Sequence, residues 1–439
     1  MRLLQYLGSN PARTGRSLAI AAAATAAALM VARSLGAQGI DFSYILTAGR
    51  MWMAGGDPYG PGFAAAGASV LPAGPIGFSY PPNWWIIAVA LAAVPGGREL
   101  LTWELLNLAA AAAAGLLFVR SARRLQPHSP EWLPYAFLAC LFGCGAMANA
   151  LRLGQTSIVV LLGLALLIEG LTSDRRVPQV LGLCLLLLKP QVGVLFLLLA
   201  MTRPRMRGAA AAALAATVVV CLPTLFSFGV EGTLASAANF LRNLGAYGKL
   251  PWNWPTYMPG MPFLFAAAGA RVSPVVAIAV AWLAAEAALR RRRYDADPLG
   301  WVADFWLIAV GAVTAIVPLH LYDFVLCVPC LLLLPSLRDR TSASLMLFCV
   351  VLVWSANDIA RALYLMLGGS TDAFWTATRL EAGLLTAAGI SLFAVALRRR
   401  ARADAMDDDA HFAAGGGGLA AAPALEPFLA ADGKASASR

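Results

Sequence analysis

Apolar stretches of about 18–20 residues recur along the chain, separated by short breaks rich in Arg, Gly and Pro. That length matches the roughly 30 Å hydrocarbon core crossed by an α-helix. Lipid leaves no partner for free backbone N–H and C=O groups, so such runs predict helices. They fall at 17–37, 100–119, 133–151, 156–171, 208–227, 273–289, 300–318, 324–336, 342–366 and 377–397. A shorter pair, 177–188 and 191–201, meets at Lys189-Pro190-Gln191, where the proline favours a break. The expected architecture is an all-α polytopic membrane protein with about twelve crossings, within a range of ten to thirteen.

Basic residues orient the spans. Arg2, Arg13 and Arg16 precede the first run, and Arg120, Arg123 and Arg124, Arg290 to Arg293, and Arg398 to Arg400 close later ones. Positive loops stay cytoplasmic, which predicts both termini inside. The run 81–94, with Trp84 and Trp85 at its start, is about 14 residues and too short to span. It is expected as an interfacial helix with both indoles at headgroup depth. Residues 41–80 then form a first external loop carrying interfacial helices, and 228–271 a second. Residues 1–402 form one transmembrane domain. The tail 403–439, with Asp407 to Asp409 and Gly415 to Gly418, is expected to be disordered and cytoplasmic. The first run lacks a trusted cleavage site and is expected as a retained anchor.

Composition agrees. The chain is 60% hydrophobic and 13% charged, where soluble domains sit near 45–50% and 25%. The net charge of +10 comes from short clusters between apolar runs, so it points to membrane topology and not to nucleic acid. The seven cysteines lie mostly inside apolar runs and predict no disulfide framework. Cys327 and Cys330 have CxxC spacing but no second pair or His cluster, and no acidic cluster has divalent-metal spacing. No glycine loop for a nucleotide occurs. Neither a metal nor a cofactor is expected.

The orientation gathers polar residues at the external helix ends: Asp41, Arg50, Arg152, Gln155, Lys189, Gln191, His320, Tyr322 and Asp323. Ionisable groups at membrane depth are costly and face a cavity or a partner. A carboxylate such as Asp41 can take a proton from an attacking hydroxyl. Lys189, Arg152 and His320 can hold a phosphate leaving group. Tyr44 and the loop tryptophans Trp252 and Trp254 offer faces suited to sugar rings. Each residue also has a plain structural reading. Asp41 can end a helix, Lys189 can snorkel, Asp323 can cap the next helix, and the tryptophans can form an interfacial belt.

The order of these motifs resembles glycosyltransferase family 87. The similarity lies in Asp41 after the first span, Gly56-Asp57-Pro58-Tyr59, Tyr80-Pro81-Pro82, Arg152-Leu-Gly-Gln155, Leu188-Lys189-Pro190-Gln191 and Pro318-Leu-His320-Leu-Tyr322-Asp323, spread over about 17–397. The resemblance implies a GT-C fold and an inverting membrane enzyme. Its expected donor is a polyprenyl-phosphate sugar, by family precedent mannose, and its acceptor an envelope glycolipid or glycan. It implies work at the external face of a bacterial cytoplasmic membrane. By position, Asp41 matches the catalytic base and His320 a residue near the donor phosphate, while Lys189 and Arg152 lie in matching motifs. Another lipid-linked sugar, such as arabinofuranose, fits the same residues. A transporter or flippase also explains apolar spans and a broken Lys-Pro helix, but it predicts internal repeats, which the chain lacks.

Overall fold

The computed structural model describes residues 11–67, 77–290, 297–337 and 339–415, the side chains of 11–13 and 403–415 excepted. Its regular elements among these are all helical. They are α1 (Pro11–Ser34), α2 (Ile40–Met53), α3 (Gly62–Ala66), a 3₁₀ turn (Pro82–Trp84), α4 (Trp85–Ala92), α5 (Glu99–Leu125), α6 (Leu133–Gly143), α7 (Gly145–Leu153) and α8 (Ser157–Thr172). There follow α9 (Arg176–Leu187), α10 (Pro190–Met201), α11 (Pro204–Tyr247), two 3₁₀ turns (Pro251–Asn253 and Pro255–Tyr257), α12 (Met261–Ala267), α13 (Pro274–Leu289) and α14 (Pro298–Ile316). A long 3₁₀ helix (Leu321–Ser336), α15 (Arg340–Met366) and α16 (Thr371–Gly415) complete the chain. Two compact units divide it, Met1–Arg399 and Arg400–Arg439.

The protein is a multi-pass membrane protein. Among the described residues, six helices are long and apolar enough to cross a membrane, or seven if the bent pair α6–α7 counts as one span. The expected twelve is not reached by this measure, because α8, α9, α10 and α13 are apolar but only 12–16 residues long. The break at Lys189-Pro190 lies where the proline predicted it, between α9 and α10.

The segment 321–336 shows why counting residues misleads. As an α-helix its 16 residues would reach about 24 Å. As a 3₁₀ helix, at about 2.0 Å per residue, they reach about 32 Å, a full hydrocarbon thickness. Pro329 and Pro335 lie inside it, and Tyr322 through Leu333 are buried. With α14, buried from Trp301 to Ala315, it forms the centre of the bundle. A helix apolar on every side belongs inside a larger core. Phe118 stacks on Trp306 there at 5.2 Å between ring centres.

A second, aromatic core lies in the expected first loop. Phe42, Ile45, Trp52, Tyr59, Phe63, Phe78, Trp84 and Trp103 pack together with Ala48, Ala88 and Leu188. Helices α2 and α4 cross so closely that a Cβ on Gly49 would sit 2.1 Å from the Ala88 carbonyl oxygen. The headgroup position expected for Trp84 is corrected: the side chain is fully buried, and its indole N–H donates to the Leu188 carbonyl at 2.9 Å. Trp85 is half-buried in the same layer.

The second expected loop, 228–271, is also largely helical. α11 breaks only at Gly229, whose φ of 66° and ψ of −176° suit a residue without a side chain. Residues 230–247 then continue as a helix folded over the first loop, where Ser236 donates to Asp57 at 2.8 Å and Asn243 to the Tyr59 and Phe78 carbonyls, both at 3.1 Å. The backbone of 403–415, expected to be disordered, is helical, and 416–439 lie outside the described residues.

Candidate active site

Asp41 occupies the first turn of α2, and three local contacts set it there. Gly39 takes the left-handed conformation, φ 59°, which turns the chain out of α1. The backbone N–H groups of Gln38 and Gly39 both donate to the Arg152 carbonyl, at 2.8 and 3.2 Å. Gly154, with φ 68°, ends α7, and a Cβ there would sit 2.7 Å from the Phe42 Cβ. Trp103 stacks on Phe42 and donates its indole N–H to the Gly154 carbonyl at 3.0 Å. The end of α7 and the start of α2 are thus pressed together, and Gln155, the next residue, donates its side-chain amide to the Asp41 carboxylate.

Behind this pair lies a buried ionic group. The Lys189 ammonium pairs with Asp323 and donates to the Ser157 hydroxyl at 3.1 Å. Ser157 donates to the same Asp323 oxygen at 2.6 Å. The other Asp323 oxygen accepts the His320 backbone N–H at 3.2 Å, which caps the long 3₁₀ helix. Capping and ion pairing are both realised in Asp323. The Lys189 Nζ lies 4.7 Å from the centre of the Tyr322 ring, and His320 stacks on that ring at 5.1 Å. A buried lysine needs such partners, since desolvating a lone ammonium costs several kcal/mol. Lys189 is 6% exposed and does not snorkel.

The electrostatics differ from group to group. Burial pushes the Asp41 carboxyl up to about 6, against opposing pulls from the Gln155 hydrogen bond and the Lys189 charge. Among the described residues Asp41 has no ion pair. It is therefore anionic at neutral pH yet more basic than an ordinary carboxylate. Burial, helped by the Lys189 charge, pushes His320 down to about 4 in spite of Asp323, so its imidazole is neutral. Such a set can accept a proton from a hydroxyl at Asp41 and offer an N–H donor and a fixed ammonium nearby.

The structure brings together Asp41, Gln155, Lys189, His320, Tyr322 and Asp323, with Tyr44 one turn along α2. Arg152 contributes its carbonyl to the Asp41 segment, and its side chain is exposed. Gln191 is half-buried and forms no hydrogen bond with any member of the group. Trp252 and Trp254 make no ring contact or hydrogen bond with members of the group. They are 40% and 48% exposed, and Trp254 stacks on Tyr257, which packs on Trp375 at 4.7 Å. Sequence reasoning missed Ser157, Trp103 and Tyr247, and it singled out Tyr80 and Trp84 without assigning them to the site. Ser157 was within reach, two residues after Gln155 at a helix start.

Comparison with known protein families now adds to the geometry. The model of glycosyltransferase family 87 matches residues 78–318, more than half of the chain. The chain belongs to glycosyltransferase family 87. This family 87 protein is therefore a membrane glycosyltransferase. The matched stretch contains Arg152, Gln155, Ser157 and Lys189 but ends before His320 and begins after Asp41. The fold, through Gln155 and Asp323, links those outlying residues to the matched ones. Searches of curated proteins and of solved structures found no match.

Proposed function

We propose that this protein moves a mannosyl residue from a polyprenyl-phosphate donor to a hydroxyl of an envelope glycolipid or glycan. The reaction takes place at the external face of a bacterial cytoplasmic membrane, with both termini cytoplasmic. Asp41 removes the proton of the acceptor hydroxyl as its oxygen attacks the anomeric carbon. The new C–O bond forms opposite the bond that breaks, so a β-linked donor yields an α-linked product. The polyprenyl phosphate leaves with the bonding electron pair. Lys189, oriented by Asp323 and Ser157, offsets the charge that grows on it. The neutral His320 imidazole donates a hydrogen bond, and the exposed Arg152 guanidinium supplies a second charge.

The observation that carries this reading is the pairing of Asp41 with a neutral amide, Gln155, beside the Lys189–Asp323–His320 group. A carboxylate kept basic next to cation and imidazole donors suits an acid–base transfer onto a phosphate leaving group.

The test is donor profiling with purified protein in lipid. Polyprenyl phosphates carrying mannose, glucose, galactose or arabinofuranose are supplied, and release of polyprenyl phosphate is scored. Mannose should turn over fastest, and only with an acceptor present. Turnover of arabinofuranose alone would replace the sugar assignment, and solute counterflow in liposomes without donor turnover would replace the enzyme.

A further inference from the structure

Four phenols from four separate elements reach the surroundings of Asp41. Tyr44 follows it on α2 and stacks on Phe63 at 6.3 Å. Tyr80 lies in the extended chain before the first 3₁₀ turn, between Phe78 at 5.6 Å and Trp84 at 5.8 Å. Tyr322 carries the Lys189 ammonium over its ring. Tyr247 ends the helix 230–247 and is held from behind, its carbonyl accepting from Asn253 at 2.8 Å. All four lie within electrostatic reach of the Asp41 carboxylate. Tyr80, Tyr247 and Tyr322 also sense Asp323.

Their hydroxyls are what distinguishes them. The hydroxyls of Tyr59 and Tyr364 donate to backbone carbonyls, at 2.9 and 2.8 Å. Those of Tyr44, Tyr80 and Tyr322 have no protein partner, that of Tyr247 has the Asn253 side chain beside it, and none is among the sealed, unpartnered buried atoms. A tyrosine hydroxyl packed inside a protein normally finds a partner. Three that do not, with Tyr247 beside them and all around one carboxylate, form a wall with bonding capacity left for a partner from outside the chain.

The chemistry of that wall selects its ligand. Phenols are neutral and both donate and accept, so they match the hydroxyls of a sugar ring. Their faces match its C–H surfaces. The phenols carry no charge of their own, so they suit the ring and leave the phosphate to the nearby Lys189 ammonium.

We propose that Tyr80 and Tyr247, with Tyr44 and Tyr322, form a hydroxyl-recognition subsite that holds a pyranose ring against Asp41. This rests on the glycosyl-transfer reading and adds residues to it. One of them, Tyr247, comes from a segment that carried no sequence signal. The helix 230–247 brings Tyr247 in through its Ser236 and Asn243 bonds to the first-loop layer. The ring held is that of the transferred sugar or that of the acceptor, and the experiment separates them.

Full-length wild type, Tyr80→Phe, Tyr247→Phe and the double variant are compared in lipid nanodiscs. The donor is a short-chain polyprenyl-phosphate mannose and the acceptor probe is octyl α-mannopyranoside. Each lost hydroxyl should raise one KM about three- to tenfold, as one hydrogen bond is worth, with kcat falling less than KM rises. The melting temperature of Tyr80→Phe should hold, since its hydroxyl bonds nothing in the protein, while Tyr247→Phe gives up only its Asn253 neighbour and should lose little. A rise in donor KM assigns the subsite to the transferred sugar, and a rise in acceptor KM assigns it to the acceptor. Equilibrium binding of each probe alone is read alongside and needs no turnover. If wild type binds a probe but transfers nothing, the glycosyl-transfer reading fails while the subsite stands. If the double variant keeps both KM values and both affinities within twofold, or wild type binds neither probe, the subsite is overturned.

Discussion

Asp41 and the buried carboxylates at the far end of the helix bundle are held in opposite ways. Helix α8 starts beside Asp323 with Ser157 and ends at Glu169, a helix length away, where Arg124 at 2.7 Å, Arg120 at 3.4 Å and Ser121 at 3.0 Å hold it. Beyond α10, which starts after Lys189, Arg203 and Thr202 hold Glu286 at 2.8 and 3.0 Å. Asp304, near the start of the helix that leads to His320, pairs with Arg399 at 2.7 Å. Each far-end carboxylate is clamped by arginine. At the other end Arg50 holds Glu99 at 2.8 Å and Lys189 clamps Asp323, but Asp41 is held by an amide alone. Arginine pairing lowers a carboxylate's affinity for protons and fixes structure, whereas an amide fixes position and leaves basicity intact. The difference separates what holds the bundle from what can do chemistry.

The largest expected effect comes from removing the unclamped carboxylate. Asp41→Asn keeps the shape and the Gln155 contact but cannot take a proton. Transfer from labelled donor should fall roughly 10²–10⁴-fold, the usual contribution of a general base. Activity within a few-fold of wild type would remove Asp41 from that role.

Next comes the clamped end. Glu286→Ala strands Arg203, whose side chain is 15% exposed and already has Nε and Nη2 buried without partners. The loss should be about 3–5 kcal/mol, read as a lower melting temperature, with transfer per folded molecule unchanged. A matching loss of kcat would mean the two ends are coupled.

The same Asp41→Asn change should also stabilise the protein at neutral pH. Folding raises the Asp41 carboxyl from 3.8 to about 6, so the folded state binds the proton more tightly than the unfolded one. Stability is then fully present below the unfolded value and is lost as pH rises toward 6. Above that the cost is about 3 kcal/mol at most, which the neutral amide avoids. Melting curves at pH 7.5 should show the gain, and at pH 4 it should vanish. The smallest effect is expected from Gly154→Ala. Its left-handed backbone costs an alanine about 1–2 kcal/mol, and the new Cβ pushes on Phe42, next to Asp41. Melting temperature and transfer should both drop modestly.

The long apolar runs and the Lys189-Pro190 break were readable in the sequence because length and proline act locally. The crossing count was not. Residues 324–336 were counted as one crossing, but the 3₁₀ form that sets how far 321–336 extend is not announced by their prolines. Helix 230–247 was hidden because Asn239 and Asn243 made it look like a loop, while its partners Asp57 and Tyr59 lie about 180 residues away in the chain. In the site, charged residues next to helix ends were visible, and Asp41, Lys189, His320 and Asp323 do meet. Trp252 and Trp254 were chosen on residue type alone, which says nothing about where a loop folds. Tyr80 was seen only as part of a motif and Tyr247 not at all, for the converse reason: neither carries a charge, and only tertiary packing brings them to Asp41.

The account turns on Asp41 being a carboxylate left basic, and the pH dependence of kcat measures that directly. With saturating donor and acceptor in lipid, kcat should rise with pH through a single limb centred near 6 and then level off, as the Asp41 anion forms. A kcat that is flat from pH 5 to 8, or a limb near 4 as for an ordinary solvated carboxylate, would contradict it.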